Sequence, residues 1–294
     1  MRQYFIAALV VAIFVTAVLY LAPATTYSTF SRICTSDGPF GGTTWEAIFE
    51  KYRRCMQTHP NLTTPELTWD RGPELAIRDC YKFGPRVIAV ANKDELKQVM
   101  LPNDMLATCK FATFGIGKDA TAEEKIKKML PNCEFYGADP VEDGNKAEYE
   151  KVGSFHKLAI SGGDMAESSI LTKAGYQARQ KMPAMPLYRF FDEIVKSKLI
   201  DYLFIDVEWA EYDLFKFLQA EKAAGSGLTF CQVNLEVHAA QGNTHKTQFR
   251  QFVQQLLREN HYALAHDEMA AGHHRLFFFN QKAEECRRKY LPFS

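Results

Sequence analysis

Lys110-Phe111-Ala112-Thr113-Phe114-Gly115-Ile116-Gly117-Lys118-Asp119-Ala120 decides the fold, because a short β-leaning run passes at once into a pair of glycines. Without side chains, Gly115 and Gly117 let the backbone turn sharply and come close to a ligand. Thr121 to Leu130 then reads as a helix, with Thr121 as N-cap, Glu124 at the capping-box position, and Ile126, Met129 and Leu130 on one face. Pro131 and Asn132 end it, and a second strand, Cys133 to Tyr136, follows. This strand delivers Asp139 about twenty residues past the glycines, where a carboxylate meets ribose hydroxyls in a βαβ unit. A glycine pair alone also serves as an ordinary turn. The order of strand, glycine turn, helix and strand favours a cofactor cradle.

Outward from this unit, Leu199 to Phe217 carries a second diagnostic run. Tyr202 to Ile205 is continuously apolar, as a buried parallel strand should be, and Asp206 and Glu208 fall at its carboxyl end, the side that faces a ligand crevice. Carboxylates there invite a functional reading; the plainer one is capping of the next helix, Trp209 to Leu218. Thr229 to Val237 is another apolar strand, with Glu236 and His238 at its far end. Phe249, Phe252, Val253, Leu256 and Leu257 repeat at helical spacing and form a core stripe. Tyr262 to Ala265 and Arg275 to Phe279 pair as a hairpin. Before the glycine strand, Arg86 to Ala91 is a short apolar run and Asn92 to Met100 reads as a helix. After Asp139 come a helix at Lys146 to Lys151, a strand at Ser154 to Ile160, a long connection near the mouth of a site at Ser168 to Pro186, and a helix at Leu187 to Lys198. Repeated βα units ending in an antiparallel pair give a parallel sheet with helices on both faces.

The chain has 294 residues, with 35 Lys plus Arg balancing 35 Asp plus Glu, so no global field recruits nucleic acid. Tyr4 to Ala22 is almost wholly apolar and long enough to cross a bilayer, with Arg2 as its flanking charge. That reads as a signal anchor with the bulk of the chain outside the cytosol; the competing reading is a signal peptide cleaved near Ala22-Pro23-Ala24. Asn61-Leu62-Thr63 is a glycosylation sequon that agrees with this orientation. Residues 23–72 form a stem with a helix from Trp45 to Met56, and the main domain spans residues 73–294. Seven cysteines show no Cys-x-x-Cys pair and hence no zinc signature, and the odd count leaves a thiol over. Cys133 and Cys231, in core strands, read as buried hydrophobes, which leaves Cys34, Cys55, Cys80 and Cys286 as bridge candidates.

The Phe-Gly-Ile-Gly turn, Asp139, the Ile205-Asp206-Val207-Glu208-Trp209-Ala210-Glu211 run, Leu235-Glu236-Val237-His238 and the closing Arg275-Leu276-Phe277-Phe278-Phe279-Asn280 resemble the FkbM-type S-adenosylmethionine-dependent methyltransferases. The similarity covers about Lys110 to Asn280 and is greatest to membrane-anchored or secreted nematode members. It implies an α/β fold with a Rossmann-like seven-stranded methyltransferase sheet whose last strand is antiparallel, S-adenosylmethionine as methyl donor, and an oxygen acceptor. By the same resemblance Phe114, Gly115, Ile116 and Gly117 border the methionine part of the cofactor and Asp139 holds the ribose. Asp206 and Glu208 match the family's acidic pair, and Glu211 the following acid. The chain departs from the pattern at Thr113, where an acid is common, at Asp119, where a third glycine is common, at Trp209, where glycine is usual, and at Phe204, where lysine is usual.

Methyl transfer from a sulfonium is an in-line displacement, so the protein must align two reactants and remove the acceptor's proton. Asp206 and His238 are the candidate bases, Glu208 completes the catalytic set, and Trp209 and Glu211 are assigned to the substrate. Glu208 could instead bind a metal or orient a sugar hydroxyl; His273 and His274 lie on opposite faces of a strand and make no metal pair. No stretch selects among glycan, lipid and protein acceptors. Three other readings compete: a luminal metal-dependent glycosyltransferase using Asp206-Val207-Glu208, a dinucleotide oxidoreductase, and a methyltransferase fold serving as a non-catalytic binding module.

Overall fold

The computed structural model describes residues 44–63, 71–82, 84–172, 175–219 and 225–292. The chain opens with helices α1 (Trp45–Thr58), α2 (Pro60–Thr63) and α3 (Gly72–Cys80), then strands β1 (Ile88–Ala91), β2 (Leu96–Val99) and β3 (Cys109–Phe114). Helix α4 (Thr121–Met129), strand β4 (Cys133–Ala138) and helix α5 (Asn145–Tyr149) follow. Six short strands come next: β5 (Ser154–His156), β6 (Ala159–Ser161), β7 (Met165–Ser168), β8 (Leu171–Thr172), β9 (Gly175–Tyr176) and β10 (Gln180–Pro186). Helix α6 (Leu187–Arg189) runs on into a π-helical turn at Phe190–Val195 and leads to β11 (Leu199–Ile205) and α7 (Glu211–Leu218). Strand β12 (Thr229–Val237), helix α8 (Gly242–Glu259), strands β13 (Tyr262–Ala270) and β14 (His273–Asn280), and helix α9 (Glu284–Tyr290) complete it.

Seven strands form one sheet in the order β13, β14, β12, β11, β3, β4, β5. Strands β5, β4, β3, β11 and β12 are parallel, and β14 runs antiparallel to both its neighbours. This is a Rossmann-like mixed α/β sheet with the reversed last strand that the resemblance implies. The chain leaves β3 toward β4 and β5 on one side and returns through β11 to β12 on the other, so the strand order switches between β3 and β11. Open α/β sheets bind their ligands at such a switch. The central strands are apolar because both faces are covered: Ile200 through Ile205 of β11 are all buried. Phe111 stacks on Phe135 with centroids 4.5 Å apart and meets Phe204 edge-on at 4.7 Å, fixing the spacing of three neighbouring strands.

Trp45 to Ser294 form one compact unit. Helix α1 shares its core: Tyr52 donates to the Leu264 carbonyl at 2.6 Å, Trp45 Nε1 to the Pro292 carbonyl at 2.8 Å, and Cys55 is bridged to Cys80. Among the described residues no helix is long and apolar enough to cross a membrane. The Tyr4–Ala22 segment and Cys34 lie outside those residues.

Several expectations are corrected. Asn92 to Met100 is not a helix: β2 pairs antiparallel with β1 from Ile88 opposite Val99 to Ala91 opposite Leu96. Side-chain amides stand in for a second neighbouring strand. Gln232 accepts the Met100 N–H at 2.7 Å and donates to the Met100 carbonyl at 3.0 Å, and Asn234 does the same to Gln98 at 2.8 and 2.7 Å. Cys133 and Cys231 are disulfide-bonded, to Cys109 and Cys286. Cys109 faces Cys133 directly in the β3/β4 register, a pairing that burial alone does not distinguish from two free thiols. Thr121 does not cap α4; Asp119 Oδ1 accepts its N–H at 3.0 Å, and Asn92 Oδ1, from the hairpin tip, accepts the Ala122 N–H at 2.8 Å. The strand expected over Ser154 to Ile160 is split, β5 joining the main sheet and β6 a small sheet with β10 and β7.

Replacing Gln232 with leucine leaves the buried Met100 N–H without a partner, while the Met100 carbonyl keeps the Tyr202 hydroxyl at 2.9 Å, and an unsatisfied buried group costs about 1–3 kcal/mol. Denaturant unfolding of Gln232→Leu should show a midpoint lowered accordingly; a midpoint equal to the parent's would show that the amide rungs do not hold β2.

Candidate active site

The strand register sets three groups side by side. Ile205 pairs with Phe114 on one flank and Leu235 on the other, so Gly115, Asp206 and Glu236 follow at adjacent carboxyl ends. Asp206 N–H donates to the Phe114 carbonyl at 2.8 Å, and a Cβ on Gly115 would lie 1.6 Å from the Asp206 carbonyl oxygen, so only glycine fits. Its φ of 77° independently favours glycine.

Two contiguous cavities open here. A narrow slot of ≈ 60 Å³ is lined by Gly115, Gly117, Asp139, Leu158 and Ile160. A wider one of ≈ 640 Å³ is lined by Glu95, Trp209, Glu236, His238, His273 and Arg275. Asp206, Glu208, Ser169, Leu171 and Tyr176 belong to both, so the two acids stand at the junction. The long connection read near the mouth of a site does supply one wall.

Asp139 holds the glycine turn in shape. Its carboxylate accepts the Ile116 N–H at 2.9 Å and the Val141 N–H at 2.8 Å, with the Gly117 N–H and the Asn145 side chain also turned to it. Burial raises its pKa above the ordinary value against the pull of these donors. Phe114, expected beside the cofactor, is fully buried against Phe190 and Phe191 and contributes its backbone, while Ile116 lies toward the wider cavity.

Glu208 and Trp209 both have left-handed backbones, with φ of 55° and 79°. Glycine is usual at the second position for this reason, and Trp209 holds the conformation by donating its indole N–H to the Ala239 carbonyl at 2.9 Å and lying 4.9 Å from the His238 ring. The turn swings Glu208 Oε2 to 3.0 Å from His238 Nε2, with Asp206 Oδ1 3.8 Å from the same nitrogen. On the other side, His238 Nδ1 meets Glu211 Oε1 at 3.0 Å. Glu211 is wholly buried and also accepts the Val207 N–H at 2.8 Å, so it sits beneath the cavity and positions His238 rather than touching a substrate.

Burial opposes charge on the ring, but Glu211, Glu208 and Asp206 outweigh it and push the His238 pKa up to about 11. With no cation bound, both ring nitrogens then donate to carboxylates, and the protonated ring does not serve as a base. Asp206 differs: its Oδ1 is buried and accepts no hydrogen bond, and desolvation, followed by the charge of Glu236, raises its pKa well above the ordinary value. For Glu208 burial pushes up, and the hydrogen bond and charge of His238 more than offset it.

The sequence reading missed Glu95 and Lys97, because it made their hairpin a helix. Lys97 is buried with its Nζ 2.5 Å from Glu95, and Glu236 is held by Arg275 Nε at 3.0 Å. Glu123 was also missed. From α4 its carboxylate accepts the Thr113 hydroxyl at 2.9 Å, supplying the acid that Thr113 lacks. His273 borders the wider cavity while His274 is buried on the opposite face with Asp267 at 2.9 Å, as their alternation requires.

A reversed last strand, a glycine turn at the switch point and a carboxylate after the next strand define a Rossmann-like domain of the methyltransferase class. The model of the methyltransferase FkbM domain matches residues 68–279, and the chain belongs to that family. Comparison with curated proteins finds no match.

Burial raises the Glu123 pKa from 4.5 to about 7. Below pH 4.5 both folded and unfolded chains are protonated at this site; between 4.5 and about 7 the folded chain keeps a proton that the unfolded chain has lost, so stability declines as pH rises through that window. In Glu123→Gln this loss should disappear, making the denaturation midpoint less dependent on pH between 5 and 7. Identical pH profiles for variant and parent would refute the assignment.

Proposed function

We propose that the protein is an S-adenosylmethionine-dependent O-methyltransferase acting on a hydroxyl-bearing glycan, lipid or other acceptor of the secretory pathway. The meeting of the glycine-lined slot with the wider polar cavity at Asp206 and Glu208 carries this reading. The residues fit the donor: Gly117 leaves its backbone open to it, and the Asp139 carboxylate, on the wall of the slot, suits ribose hydroxyls. When bound, S-adenosylmethionine supplies a methyl group on a sulfonium, an electrophile needing no further activation. Asp206 then takes the acceptor's proton, the oxygen lone pair bonds to the methyl carbon, and the sulfur–carbon electrons return to sulfur. Tyr176 and Ser169 to Leu171 line the slot beside Asp206 and Glu208.

Three disulfides among the described residues support an oxidising compartment, consistent with a membrane anchor at Tyr4 to Ala22 and a luminal domain. Glycosidase treatment should shift the mobility of the expressed chain, and replacing Asn61 should abolish the shift. An unglycosylated domain digested by protease from the cytosolic side would overturn the topology.

Calorimetric titration of the full chain with S-adenosylmethionine, a sugar nucleotide plus manganese, and NAD should give binding only with the first. Asp139→Ala should weaken that binding by about 1.5–3 kcal/mol, the range for a hydrogen bond to a charged group. Asp206→Asn should leave it unchanged while cutting labelled methyl incorporation into secretory-pathway extracts by roughly a hundredfold. Donor binding unaffected by Asp139→Ala would remove that residue's role, and undiminished incorporation by Asp206→Asn would remove Asp206 as the base.

A further inference from the structure

We propose that Asp206, Glu208 and His238 form a divalent-cation site on the acceptor side of the cleft, suited to a first-row transition metal such as Mn²⁺. One carboxylate oxygen each of Asp206 and Glu208 and one ring nitrogen of His238 lie within 4.8 Å of one another. The nitrogen facing the carboxylates is Nε2, at 3.0 Å from Glu208 and 3.8 Å from Asp206. Ligand atoms about 2 Å from a common ion are spaced on this scale.

The other side of the imidazole supplies an independent observation. Metal-binding histidines ordinarily donate their second N–H to a carboxylate, which fixes the ring and its tautomer. Glu211 does this for His238: it is fully buried, 3.0 Å from Nδ1, and anchored by the Val207 N–H. A carboxylate needed merely to neutralise a histidine has no reason to be sealed behind it while two further carboxylates face its front. The left-handed turn at Glu208 and Trp209 brings Glu208 to that front at a cost in backbone strain. Asp206 Oδ1 is buried there with no hydrogen-bond donor.

Charge points the same way. The carboxylates of Glu95, Asp206, Glu208, Glu211 and Glu236 outnumber Lys97 and Arg275, which are engaged by Glu95 and Glu236, and a divalent cation that displaces the proton from His238 Nε2 puts two positive charges where there was one. One imidazole among carboxylate ligands favours Mn²⁺, Fe²⁺, Co²⁺ or Zn²⁺ over Mg²⁺ and Ca²⁺, whose usual ligands are all oxygen. The role of the cation, though not its binding, rests on the methyl-transfer reading. It polarises the acceptor hydroxyl and lowers the cost of removing its proton, while Asp206, bound through Oδ1, keeps its second oxygen to receive that proton.

The full chain, stripped with EDTA and dialysed, should be titrated with MnCl₂, following the loss of the free-ion electron paramagnetic resonance signal, with ZnCl₂ and MgCl₂ as competitors. One Mn²⁺ per chain is expected, displaced by Zn²⁺ far more readily than by Mg²⁺. Glu208→Gln and Asp206→Asn should each weaken binding at least tenfold, and Glu211→Gln, which touches no ion, by roughly 10- to 100-fold. Should Glu211→Gln fail to fold, the Glu208 and Asp206 variants decide. The site is overturned if Mn²⁺ does not saturate, if Glu208→Gln binds as tightly as the parent, or if His273→Gln abolishes binding where Glu208→Gln does not, which would place the ion with Glu236 and His273 instead. Donor titration in EDTA is a separate arm: donor binding without Mn²⁺ binding refutes the cation site alone, and Mn²⁺ binding without donor binding refutes the donor.

Discussion

The closeness of β3 and β11 at their carboxyl ends governs the rest of the molecule. A methyl group's worth of space is missing between Gly115 and the Asp206 carbonyl, where a Cβ would come to 1.6 Å. The chain can therefore enter the glycine turn and leave β11 together only with glycine at that point. Everything placed around the junction inherits this geometry. Asp139 fastens the turn from one side, the β12 terminus brings Glu236 and His238 from the other, and the left-handed pair Glu208–Trp209 follows because the chain must clear the turn before starting α7.

The parts of this arrangement that were legible in the sequence are those built on long apolar runs. Strands β3, β11 and β12 each bury a near-continuous stretch, as a parallel strand covered on both faces must. The glycines and Asp139 were legible because spacing alone fixes their place in a βαβ unit. The anomaly at Trp209 was visible as a departure from glycine, and the φ of 79° supplies its physical content.

What could not be read depends on partners distant in sequence. Leu96 to Val99 has helix-forming residues, and it is the pairing with β1 together with the amides of Gln232 and Asn234, more than a hundred residues away, that makes a strand of it. Missing that strand meant missing Glu95 on the cavity wall and Lys97, its ion-pair partner. Likewise β13 extends to Ala270, through polar residues that resemble a loop, because Asp267 finds His274 across the hairpin. Glu123 looked like one more charge on an amphipathic helix, yet the turn that begins α4 directs it inward to Thr113. Burial of Cys133 and Cys231 was foreseen, and their bonds were not, since the same environment suits a thiol and a disulfide.

The amide rungs on β12 have a consequence for how this architecture can diversify. A strand joined to a sheet by its own backbone ladder cannot be exchanged without rebuilding the ladder. The hairpin of β1 and β2 is fastened mainly by two side chains, Gln232 and Asn234, and by the clasp of Asn92 on α4. It behaves as an interchangeable panel set against a permanent frame. Substitutions confined to the panel at Asp94 and Glu95 re-line the cavity while the rungs on β12 stay in place, so one frame can carry different walls.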